Sequence, residues 1–215
     1  MAFWNRFKPG RPAPQRDWVS LVDAELVYER DAGHAHVWCF PDGDRVGVFF
    51  FNLEPDLPRL PDLAPFVSQL RDRTVASGAR PVECEMDPIA GIPALRQIVK
   101  IPQQPSGMTY VGSFTLPFAK FSYVIQVQCE ERGMTGVREA ALLEEAIAAN
   151  EVTIDPESPH PIPGTWDPDS ERYDERFPAH PLTRLRRHLR LVASSCQVHD
   201  SLLAHPRFPL PETAT

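Results

Sequence analysis

Between Val82 and Cys129 apolar and polar residues alternate with a period of two. Val82, Cys84 and Met86 are separated by Glu83 and Glu85. Met108, Tyr110, Phe114 and Leu116 oppose Thr109, Ser113 and Thr115, and Phe121, Tyr123, Ile125, Val127 and Cys129 oppose Ser122, Gln126 and Gln128. Such alternation marks strands with one face in a core. Gly91-Ile92-Pro93 turns the first of these into a strand over Ala94–Ile101, and Gly112 marks a bend or a close approach. These two glutamates, and the pair Glu130 and Glu131, sit at strand edges and read as solvated faces, not as catalytic pairs.

Upstream, the segment Leu21–Glu29 fits helix or strand. The runs His34–Phe40 and Arg45–Leu53 read as a hairpin about Pro41-Asp42-Gly43-Asp44, where proline presets φ and glycine accepts a positive one. The second run is apolar on both faces, as in a strand covered on both sides. A helix is predicted from the N-cap Asp62 to Ser77, with Leu63, Phe66, Val67, Leu70 and Thr74 at helical spacing. A second is predicted from Thr135 to Asn150, with Leu143 and Ile147 buried. A third runs from Pro181 to Ser195 on a stripe of Leu182, Leu185, Leu189 and Val192. The fold class is α+β, a mostly antiparallel sheet with helices packed on it.

The chain divides into an N-terminal arm and linker (1–16), a core domain (17–150) and a C-terminal extension (151–215). That extension is proline-rich and acidic before the third helix, and 205–215 reads as a tail. A net charge of −7 argues against wholesale nucleic-acid binding, which wants a basic face. No apolar run reaches the roughly 18 residues of a spanning helix, and the N-terminus lacks a secretory pattern. Cys39, Cys84, Cys129 and Cys196 are scattered singly, which fits a reducing cytoplasm and no cysteine-based metal motif.

Sequence signatures of nucleophilic, phosphate-binding or zincin chemistry are lacking, so no catalytic residue and no cofactor is assigned. Three features carry candidate function. His34 and His36 share one strand face and form a candidate metal pair, with Asp42 or Asp44 as further ligands; the alternative is two histidines at a surface edge. Arg184, Arg186, Arg187 and Arg190 give the third helix a basic face. It suits an acidic partner, or the chain's own acidic segment Asp167–Glu175. Trp4 and Phe7, with Phe3, form a short aromatic hook for a partner or a membrane surface, or an arm packed on its own domain.

The order hairpin, helix, strand, Gly91 turn, meander and helix resembles the Mog1/PsbP-like α/β/α sandwich, including bacterial proteins grouped with it. The likeness is carried by Val46–Leu53, Asp62–Ser77, Ile89–Ala94 and Tyr123–Cys129, over about residues 25–150. It implies a binding protein and transfers no active-site residue. The first expectation is therefore a non-enzymatic, cytoplasmic bacterial adaptor or chaperone-like protein with a protein partner. A small metal-dependent enzyme at His34/His36 and a peripheral membrane protein are the alternatives.

Overall fold

The computed structural model describes residues 13–23, 25–31, 35–152 and 166–211. After a short 3-10 turn the strands are β1 (Val19–Leu21), β2 (Val27–Asp31), β3 (Ala35–Cys39) and β4 (Arg45–Phe51). Helix α1 (Leu63–Ala76) leads to β5 (Arg80–Met86), β6 (Leu95–Pro102), β7 (Met108–Pro117) and β8 (Ser122–Glu130). Then come α2 (Val137–Ala148), a 3-10 segment over Glu171–Arg176, α3 (Pro181–Ser195), β9 (Cys196–Val198) and the single turn α4 (Asp200–Leu203). The segment Leu21–Glu29 thus resolves as the end of one strand and the start of another. The expected hairpin closes through Phe40 N–H to Asp44 O (2.9 Å), with Gly43 at φ 82°.

Seven strands form one antiparallel sheet in the order β2-β3-β4-β8-β7-β6-β5, and β1 pairs with β9 in a separate ribbon. The long apolar run of β4 sits third from one edge, paired on both sides. In the ladder Val48 opposes Ile125, which opposes Phe114; Val46 opposes Val127, which opposes Gly112. Residues opposite one another share a face, so these rows form one apolar floor. Leu182, Leu185, Leu189 and Val192 of α3 belong to the same buried cluster as that floor. Helix α1 covers part of the other face, closing Phe66 and Leu70 over Cys84 and Leu95.

Gly112 lets α3 come this close. A Cβ there would lie 2.8 Å from Leu189 Cδ1 and 3.0 Å from Leu185 Cδ1. Gly112→Val is expected to lower stability by about 1–3 kcal/mol through overpacking, read as a lower urea midpoint. A midpoint equal to that of the unmodified chain would mean that α3 is not seated on β7.

Several expectations change. Helix α2 starts at Val137 behind Gly136 in the left-handed region, without a side-chain cap from Thr135. Its buried residues are Arg138, Leu142 and Ala146, whereas Ile147 is 40% exposed. The stripe is rotated by one residue because an arginine, not an aliphatic side chain, begins it. Glu83 is not a solvated residue: its side chain is 17% exposed and takes Arg96 and Arg186. The described part of the tail is pinned. Ala119 N–H donates to Pro206 O (3.0 Å), Phe208 is buried, and Leu210 packs on the α1 cluster.

Candidate functional site

Two acid–arginine networks tie the C-terminal third to the sheet. The first centres on Asp44, whose side chain has no exposed surface. Arg184 donates to both carboxylate oxygens (2.8 and 3.2 Å) and Arg132 to one (2.8 Å), and His188 Nε2 lies 3.3 Å away. Burial pushes this carboxyl up, but hydrogen bonds from His188, Arg184 and Cys129 more than reverse it. The group ends well below the ordinary carboxylate range. His188 itself stacks on Phe40 at 3.8 Å between ring centres.

The second network centres on Asp174. Arg138, fully buried, donates to Asp174 (2.9 Å), Thr183 Oγ1 (3.2 Å), Pro168 O (2.8 Å) and Ser170 O (2.8 Å). Arg186 donates to Asp174 (2.8 Å), Glu83 (2.7 Å) and Asp169 O (2.6 Å). These two guanidiniums hold the acidic segment against the fold.

Between the networks a cleft of about 360 Å³ opens. The β8–α2 turn forms one wall with Glu131, Arg132, Met134 and Val137. The start of α3 and the residues before it form the other, with Arg176, Phe177, Pro178, His180 and Arg184. Met134 is 84% exposed. Arg176 pairs with Glu145 and lies 5.6 Å from the centre of the Phe177 ring. At the base His180 caps α3, its Nδ1 accepting from Leu182 N–H (3.3 Å). Burial, and then the Arg138 charge, lower its pKa to about 3.

Of the arginines singled out on the third helix, Arg184 lines the cleft but is held by Asp44, and Arg186 is buried between Glu83 and Asp174. Arg187 reaches Asp42 and Arg190 reaches Glu171, each more than half exposed. His36 lies on β3, with its Nδ1 3.4 Å from the Tyr28 hydroxyl and its ring beside Trp38. His34, Trp4 and Phe7 lie outside the described residues. Asp42 pairs with His188 and Arg187, and Asp44 with Arg184. The cleft residues Met134, Arg138, Arg176 and His180 carry no site signal in the sequence, and Glu131, which reads there with Glu130 as a solvated pair, has a side chain only 6% exposed. They come from three separate segments, and only the loop glycines Gly133 and Gly136 and the His180-Pro181 start of α3 hint at their position.

Among the described residues no helix is long and apolar enough to cross a membrane. No protein-family model matches the chain, and comparison with curated proteins returns no match. Among solved structures the chain is similar to a mutant form of the protein Mog1 at 11% identity, with a TM-score of 0.46. It is also similar to the Saccharomyces cerevisiae Ran-binding protein Mog1p at 12% identity, with a TM-score of 0.44. Each match covers 86% of this chain and 93% of the other. At these identities the likeness is one of fold alone.

Proposed function

We infer that the chain is a protein-binding module whose cleft takes an acidic partner segment carrying an apolar side chain. The observation that carries this reading is the lining of the cleft. Four arginines, each paired with a carboxylate of the fold, line it around exposed Met134 and Val137, and two of them, Arg132 and Arg176, keep about half of their side-chain surface open. Met, Arg and aromatic side chains are the types enriched in recognition surfaces. The half-exposed guanidiniums of Arg132 and Arg176 can meet an acidic partner segment, and charge complementarity of that kind favours specificity. An adaptor or chaperone-like role in a reducing cytoplasm accords with four free cysteines, three of them buried.

Selection from a displayed peptide library tests the reading. Binders enriched in Asp or Glu beside one large apolar residue are expected. Met134→Asp and Arg176→Glu are each expected to weaken such a peptide at least about tenfold, since a tenfold loss corresponds to about 1.4 kcal/mol. Added salt should weaken it further. Peptides without acidic enrichment, or equal binding by both variants, would count against the cleft as the docking surface.

A further inference from the structure

Beneath the cleft two carboxylates meet, and among the described residues neither has a cation of its own. The Glu131 side chain is 6% exposed; its oxygens accept from Met108 N–H (2.8 Å) and Gly136 N–H (2.9 Å). Glu139 accepts from the Tyr110 hydroxyl at one oxygen (3.2 Å), and its other oxygen is buried without a hydrogen-bond partner. His180 faces them. Its side chain is 7% exposed, its Nε2 makes no hydrogen bond among the described residues, and that atom lies 4.0 Å from Glu131 Oε1. One ligand atom from each of the three residues lies within 4.8 Å of the other two.

The charges around this group are already matched. Arg138 pairs with Asp174, Arg184 with Asp44 and Lys100 with Asp169. Backbone N–H groups ease the burial of Glu131 but supply no full positive charge. Buried carboxylates are normally paired or bound to a metal, because an uncompensated charge in a poorly solvated site is expensive. The geometry points to a divalent-cation site formed by Glu131, Glu139 and His180. One imidazole nitrogen and two carboxylate oxygens suit a borderline cation such as Zn²⁺.

A second group, Asp44, Cys129 and His188, is equally compact. There Arg184 and Arg132 already occupy the carboxylate, so it needs no metal. The two groups separate on this point: one is filled by guanidinium, the other holds two orphaned ligand atoms.

Ligation has a local consequence. With Nδ1 accepting from Leu182 N–H, the imidazole proton sits on Nε2. Coordination through Nε2 moves that proton to Nδ1, and the ring stays neutral. Leu182 N–H then loses its acceptor, so metal binding loosens the first turn of α3. The site adjoins the cleft but does not rest on peptide binding.

The test is zinc titration of the chelator-stripped full chain by calorimetry, with metal analysis after desalting. One equivalent of Zn²⁺ is expected. Glu139→Gln and His180→Gln should each weaken it at least about tenfold, and His36→Ala should leave it unchanged. Hydrogen exchange at Leu182 should quicken when zinc is added. Should His180→Gln fail to fold, Glu139→Gln decides alone, because the glutamine oxygen can still accept from Tyr110. No saturable binding, retention of binding in Glu139→Gln, or loss only in His36→Ala would overturn the assignment.

Discussion

Replacing Arg138 by methionine is expected to lower the unfolding free energy by about 3–5 kcal/mol, the loss typical of breaking one side of a buried ion pair. The methionine fills similar volume but donates nothing. Pro168 O, Ser170 O and Thr183 Oγ1 each lose a hydrogen bond, and Asp174 keeps only Arg186. Arg138→Lys should not restore the loss, since a single ammonium cannot span four acceptors that a planar guanidinium reaches at fixed angles. Equilibrium urea unfolding measures the effect. Limited proteolysis between Trp166 and Phe177 locates it, because the segment is held there by Arg138 and Arg186. A midpoint within experimental error of the unmodified chain would show that the segment is held in some other way.

Asp44→Ala is expected to cost a similar amount, about 3–5 kcal/mol at neutral pH. It leaves Arg184, with a side chain only 13% exposed, without its carboxylate. The pH dependence follows from the direction of the shift. The folded carboxyl titrates below its unfolded value, so its stabilisation is complete above the ordinary value of about 4 and is lost as pH falls towards the folded value. The stability gap between the unmodified chain and Asp44→Ala should therefore be widest above about pH 4 and close progressively below it. His180 adds a separate slope common to both proteins. Its pKa is lowered to about 3, so its neutral form favours the fold above the unfolded value, and stability falls as pH drops from about 6.5 towards 3. Urea midpoints across about pH 3–8 measure both slopes. A gap that stays constant down to the lowest pH would show that Asp44 is not held by Arg184 and His188.

The strands were legible because a period of two leaves a direct trace in composition. Tyr110, Phe114 and Leu116 face one way, and their neighbours on β8 repeat the pattern. Helix α3 was equally plain, since its four apolar positions fall on one stripe and Pro181 suits the first turn. The buried stripe of α2 falls one residue away from the one its sequence predicts. Arg138 looks like a surface side chain in the sequence and becomes buried only because Asp174 and two carbonyls approach it from residues 30 to 36 positions away. Glu83 leaves the solvated face for the same reason: its partner Arg186 lies on a helix 103 residues downstream.

Alternation and helical spacing, which depend only on neighbours along the chain, settled the α+β class, most strand positions and the apolar stripe of α3. Burial of charge depends on who arrives from afar, and the chain carries no local mark of that. The neighbouring acidic run Asp167–Glu175 already marks Asp174 and Glu171 as partners for the arginines of α3; folding alone adds Asp44 and Glu83 to that face and brings Glu131, Glu139 and His180 together beneath an arginine-lined cleft. Apolar side chains declare their place by avoiding water, whereas charged ones are placed by partners that only the tertiary structure brings within reach.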